Sequence, residues 1–248
     1  MGGMMRGGLL LGAALLTALL AAVACGGGDG EGTVAPGSSA TPAASGTASA
    51  APSGTPSAVE EQLKGMVLKL SDLPAGYTLA EESSSTNDQV ANGSDDPTTA
   101  LAQLTEWGRI LGHGVSFSPE APGETGVVLL DSTVSLYEND GGATASFADA
   151  VNTARTTDWP ASSGQARDVK VEELPPLDVA DEMLWLRISG TASIGQPATD
   201  EAFIQDMVLF RVGRSRGSIA VVSIGFDPAQ TVESMVDAQA ANMAAGLQ

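Results

Sequence analysis

The sequence predicts an α+β domain of two layers, a mostly antiparallel sheet with helices packed on one face. Three observations predict it. Apolar residues recur with period two through most of the chain after Gly112. These runs follow one another across short turns and do not alternate with helices. Helical periodicity is confined to the start, the middle and the end of residues 58–248. That stretch of 191 residues has the size of one domain, enough to bury a core without disulfides or structural metals.

The elements follow in order. Ser57 and Glu60 stand three apart, a capping-box spacing, and Val59, Leu63, Met66, Val67 and Leu70 continue at helical intervals, so a helix is expected over 58–70. Asp72-Leu73-Pro74-Ala75-Gly76 breaks it, and Tyr77 to Glu81 alternates as a short strand. Ser83 to Pro97 is polar with an Asn92-Gly93 turn signal and reads as a loop. Asp96-Pro97 supplies an N-cap and a proline at the first helical position, opening a helix that should bury Leu101, Leu104 and Leu111. Val115 and Phe117 mark the next strand, and Val128, Leu130, Ser132, Val134 and Leu136 one face of another. Asp140-Gly141-Gly142 leads into a helix carrying Ala143, Phe147, Val151 and Ala154. Four strands are expected around Val169–Val171, Leu184–Ile188, Ile204–Val212 and Ser218–Phe226, the last two joined by Gly213-Arg214-Ser215-Arg216-Gly217. Asp227-Pro228 then caps a final helix with Val232, Met235, Val236, Met243 and Leu247 inward and Gly246 near its stop. Strand, turn and helix succeed one another at 127–155 and again at 218–245, a faint internal echo.

Ahead of this domain lie two segments of different character. Residues 1–24 have the form of a signal peptide: one charge, Arg6, then sixteen residues from Leu9 to Ala24 without any. The run falls short of the roughly 20 apolar residues that span a bilayer, which disfavours a retained anchor. It ends Ala22-Val23-Ala24-Cys25. This resembles the lipobox of bacterial lipoproteins, although Ala22 stands where leucine is usual. The resemblance implies cleavage between Ala24 and Cys25, with diacylglycerol in thioether linkage on Cys25 and acyl chains of the palmitate kind tying the protein to the membrane. The competing reading is a secreted protein in which Cys25 is a stray thiol. Cys25 is the only cysteine of the chain, which favours lipidation, because an unpaired exported thiol is otherwise a redox liability. From Gly26 to Ser57, 29 of 32 residues are Gly, Ala, Ser, Thr or Pro. With almost nothing to bury, residues 25–57 are expected to be a disordered tether spanning roughly 30 Å.

Charge excludes further classes. Eleven basic residues face thirty acidic ones, a net charge of −19, so a nucleic-acid partner is not expected. A single histidine and a single cysteine leave no Cys/His metal site. His113, between the expected second helix and the following strand, is the sole histidine available to a Ser-His-Asp enzyme, and an exposed structural role is the plainer reading. No Gly-x-Ser-x-Gly, Ser-x-x-Lys, His-Glu-x-x-His, phosphate-loop or EF-hand pattern occurs. Asp131-Ser132-Thr133 is near the Asp-Ser/Thr-Gly of aspartic proteases but lacks the glycine and a second copy, so Asp131 reads as an outward strand residue. No cofactor is expected beyond calcium, for which Glu172, Glu173, Asp178, Asp181 and Glu182 around Pro175-Pro176, or Asp88, Asn92, Asp95 and Asp96, supply oxygen ligands. Solvated acidic surface is the plainer reading of both clusters, since a chain of this charge is expected to carry them. Arg211, Arg214 and Arg216 crowd one hairpin of an acidic body, a place for an anionic ligand, with turn solubility as the alternative. Trp159, in a polar stretch, would either stack on a sugar or partner or pack in the core.

In layout, and in the Asp72-Leu73-Pro74-Ala75-Gly76-Tyr77 segment after a first helix, the domain resembles small extracellular α+β domains of actinobacterial lipoproteins and of receptor Ser/Thr kinase sensor regions. The resemblance implies a non-enzymatic binding or sensing role toward an envelope protein, lipid or glycan and carries over no catalytic residues. An envelope hydrolase with an unfamiliar carboxylate site is the alternative.

Overall fold

A computed structural model describes residues 58–121, 126–163, 166–194 and 199–248. The expected signal peptide, Cys25, the expected tether and the expected Ser57 cap lie outside the described residues. Seven strands form one antiparallel sheet: β1 Tyr77–Ser85, β2 Arg109–Pro119, β3 Val127–Tyr137, β4 Arg167–Leu174, β5 Glu182–Ile194, β6 Thr199–Val212 and β7 Ser215–Ile224. Their order is β1-β2-β3-β7-β6-β5-β4. Two meanders, β1 to β3 and β4 to β7, therefore meet edge to edge at the β3–β7 ladder. The helices are α1 Ala58–Met66, α2 Asn87–Asn92, α3 Pro97–Glu106, α4 Asp140–Thr156, α5 Trp159–Ser162 and α6 Ala229–Gly246, with a 3-10 turn at Leu70–Asp72. Among the described residues no helix is long and apolar enough to cross a membrane.

The α+β class and the antiparallel sheet are as expected, but the helices divide between the two faces. On one face α1 and α6 bury Leu63, Met66, Val232, Met235 and Met243 against Phe117, Leu130, Val208, Phe210, Ile219 and Val221. On the other, α4 lays Phe147, Ala150 and Ala154 on Leu184, Leu186, Ile188, Met207 and Leu209. Connectivity requires this second cover, because the chain must pass from β3 to the far edge at β4 and α4 makes that crossing above β7 and β6. The sequence echo corresponds to β3–α4 and β7–α6, neighbours in the sheet whose helices lie on opposite faces.

Local chemistry sets the remaining differences from expectation. α1 stops at Met66, and Leu70 is exposed in the 3-10 turn. β1 runs on to Ser85, where Thr86 and Gln89 form a reciprocal capping box that starts α2 inside the expected loop. α3 ends at Glu106, since Gly108 takes a φ of 65° suited to glycine. β2 therefore begins at Arg109 and holds Leu111 and His113 as strand residues. A register shift between Val127 and Leu129 turns Val128 out to solvent, off the face shared by Leu130 and Leu136. In the last hairpin Val212 pairs with Ser215, so the turn is only Gly213-Arg214 and both other arginines lie on strands. At Gly142 a Cβ would stand 1.8 Å from the Trp107 carbonyl oxygen, which is why the start of α4 can seat against the end of α3. The two sheet edges carry Glu81, Glu82, Lys170 and Glu172 together with bulges in both flanking ladders, features that oppose edge-to-edge pairing.

Candidate functional site

The arginine hairpin joins β6 to β7. Glu182 lies directly across from Arg211 in the β5–β6 register, and the Arg211 guanidinium is clasped by Glu182 and by Asp181, the latter at 3.0 Å. Asp181 also accepts the Gly213 N–H at 2.7 Å, so this cluster braces the turn. Arg214 and Arg216 differ. Arg214 donates to the Tyr137 carbonyl at 3.1 Å, and Arg216 to the Ser146 carbonyl and hydroxyl at 3.1 and 2.8 Å. Neither forms an ion pair with a described carboxylate. Both side chains are half-buried, held in place by neutral acceptors that leave their charges uncancelled at one end of an acidic domain.

Trp159 is 3% exposed and donates its indole N–H to the Ala154 carbonyl at 2.9 Å, closing the end of the α4 core. Of its two expected roles, the structure shows core packing. The acids expected as calcium ligands are engaged or dispersed: Glu173 pairs with Arg155, Asp181 and Glu182 pair with Arg211, and Glu172 and Asp178 are exposed. In the other cluster Asp96 caps α3 through Thr99, whose hydrogen bonds hold its carboxyl below the usual range, while Asp88 and Asn92 belong to α2 and Asp95 to the link between the helices. Among the described residues no three His, Cys, Asp or Glu side chains converge as a metal site.

His113 was expected at an exposed loop start; it is 3% exposed in β2, directly across from Ser84 of β1. Its Nδ1 lies 3.0 Å from Ser84 Oγ, whose own proton goes to Glu60 Oε1 at 3.1 Å. The imidazole proton then sits on Nδ1, and Nε2 faces Glu82 Oε1 at 3.2 Å without hydrogen-bond geometry. A serine, a histidine and two carboxylates thus come together, but the serine proton is committed to Glu60 and the arrangement ties α1 to the sheet edge. Burial lowers the His113 pKa below its ordinary 6.5, opposed by Glu82 and Glu60 and assisted by Lys64. A lowered folded value favours the neutral ring, so its contribution to stability is present above about pH 6.5, the unfolded value, and is lost as pH falls toward the folded one. As the chain has one histidine, its imidazole proton resonance is unique. An NMR titration should give a midpoint below 6.5, and a midpoint above it would mean that the carboxylates outweigh burial.

Asp131 is half-buried on the face of β3 away from α1 and α6, where it accepts the Ser116 hydroxyl. Burial holds its carboxyl above the ordinary range against that hydrogen bond, with Glu81 adding to the rise. Glu81 and Ser116 are register partners, so the three residues form one row across β1, β2 and β3.

No family model matches the chain, and no curated protein matches it. Among solved structures it is similar to the extracellular domain of PknH from Mycobacterium tuberculosis, at a TM-score of 0.48 and 9% identity, over 75% of this chain and 94% of that one.

Proposed function

We propose that the chain is a membrane-anchored lipoprotein whose domain, residues 58–248, is a non-enzymatic extracytoplasmic module that binds or senses an anionic envelope ligand. The observation that carries this reading is the pair Arg214 and Arg216, fixed by carbonyl and hydroxyl acceptors and lacking an ion-pair partner among the described residues. Two uncancelled guanidiniums on an otherwise acidic surface attract phosphate or carboxylate groups and keep their geometry before the ligand arrives. Native mass spectrometry of the full-length protein released from detergent should show an added mass that disappears on denaturation. The variant Arg214→Ser/Arg216→Ser should lose at least tenfold of that occupancy while keeping the fold. An adduct unchanged in the variant would remove the hairpin from the site, and a bare mass in the wild type would count against a resident small ligand.

The alternative, an envelope hydrolase, draws on Asp131 alone. A carboxyl raised by burial beside Ser116 and Glu81 has the character of a general acid. An Asp131→Asn variant that abolished a hydrolytic activity while leaving adduct binding intact would favour that reading.

A further inference from the structure

The helix pair α2–α3 stands apart from both cores: none of its residues belongs to the cluster under α1 and α6 or to the one under α4. It is pinned at its base by Asn87, which donates to the Arg109 carbonyl at 2.8 Å and accepts from its guanidinium at 2.9 Å, and by Gln103, which reaches Asp149 at 3.4 Å. Ala91 and Leu104 are its buried apolar side chains. Between the helices runs an open groove of about 760 Å³, lined by the more buried Ala91 and Leu101 and by the exposed Ala102, Pro97, Asp88 and Glu106. From Thr86 to Gly108 there is no lysine or arginine, whereas Asp88, Asp95, Asp96 and Glu106 are all acidic. Asp96 is held below the ordinary carboxyl range by Thr99, which keeps it charged. A helix pair that lies outside both core clusters and buries only Ala91 and Leu104, yet keeps an apolar trough between like charges, has the features of a presented surface.

We propose that this groove docks a cationic amphipathic segment of a partner protein, small aliphatic side chains entering the floor and flanking Lys or Arg meeting Asp88 and Glu106. Charge selects this occupant. A second copy carries the same net negative charge, the region before the domain offers only Arg6, and an anionic lipid surface is repelled. The groove shares no residue with the arginine hairpin, so the two surfaces stand or fall independently.

The test uses full-length protein in neutral detergent and a fluorescein-labelled 14-residue peptide of lysine and leucine, leucines at i, i+3, i+4 and i+7. A peptide with glutamate in place of lysine is the comparison. The lysine peptide should bind saturably by anisotropy, the glutamate peptide should not, and hydrogen exchange should slow within residues 87–106. Charge reversal at the exposed rim, Asp88→Lys/Glu106→Lys, should weaken binding at least tenfold. The same change of net charge at the exposed Glu172 and Asp178 should alter it less than twofold. Equal weakening by both variants would show nonspecific attraction to an acidic protein and overturn the proposal, as would protection elsewhere or the absence of saturable binding.

Discussion

Replacing Asp206 by alanine is expected to lower the stability of the domain by about 3–5 kcal/mol, the cost of leaving one partner of a buried ion pair alone. Asp206 has no exposed surface. Its Oδ1 accepts the Trp185 indole N–H at 3.0 Å and Arg187 Nε at 2.9 Å, and its Oδ2 accepts Arg187 Nη2 at 2.8 Å. Arg187 is a two-pronged partner with 14% of its side chain exposed, and these bonds raise its pKa so that it stays charged in the fold. Removing the carboxylate leaves the guanidinium with Asp227, which is 60% exposed and therefore a weaker, screened partner, and it orphans the indole. Asn at 206 keeps the shape but directs an amide N–H₂ at donors, so it should cost nearly as much. Denaturant midpoints measure this, and the double variant Arg187→Met/Asp206→Leu should recover most of the loss, because no unpaired charge remains. A single variant costing less than about 1 kcal/mol would mean that water reaches the site.

This network shows what a sequence can disclose and what it cannot. The helix after Asp227-Pro228 was legible from that pair and from the apolar spacing of Val232, Met235, Val236 and Met243, although its N-cap is Pro228, which makes no side-chain cap bond. Asp227 before it accepts the Ala229 N–H at 3.0 Å, and that bond, with Arg187, holds its carboxyl below the usual range. Its link to Arg187, forty residues earlier, was not legible, since it depends on which strands become neighbours. The second covered face had left a signal. Met207-Val208-Leu209-Phe210 and Ile219-Ala220-Val221-Val222 are continuous apolar runs, the pattern of strands buried on both sides, whereas period-two reading attends to one face. α2 was missed because Thr86-x-x-Gln89 was read within a polar loop, although it is a capping box.

The candidate site divides in the same way. Crowding of arginines on one hairpin was visible, but the distinction among them was not. Arg211 is neutralised by Asp181 and Glu182, about thirty residues away, through the β5–β6 register, and these are the same acids that composition had offered to calcium. Trp159 follows α4 in a polar stretch, and only the hydrogen bond to Ala154 and the cover of Ile188 and its neighbours explain why the indole turns inward. For His113 the single-residue reading failed because Ser84 and Glu82 meet it across a ladder, and Glu60 meets it from the helix above.

The largest functional effect is expected at Cys25, where Cys25→Ser should move the protein almost entirely from the membrane to the soluble extracytoplasmic fraction. A single acyl chain holds a protein to a bilayer only marginally, whereas two give stable anchoring, and each buried methylene contributes about 0.8 kcal/mol. Among the described residues nothing would substitute: no helix there is long and apolar enough to span a membrane, and a domain with this excess of acid is repelled by anionic headgroups. Serine preserves the size of the side chain and the cleavage region but supplies no thiol for the thioether. Fractionation with immunodetection reads the redistribution, and intact mass reads its cause, the wild type carrying a diacylglycerol mass that the variant lacks. The domain of the released variant should keep the wild-type unfolding midpoint, because Leu63 and Met66 of α1 are already fully enclosed by α6 and the sheet. If Cys25→Ser remained in the membrane fraction and the wild type carried no diacylglycerol mass, the lipoprotein reading would be wrong and residues 9–24 would be a retained anchor. A wild type without added mass that was already soluble would instead make Cys25 the stray thiol of a secreted protein.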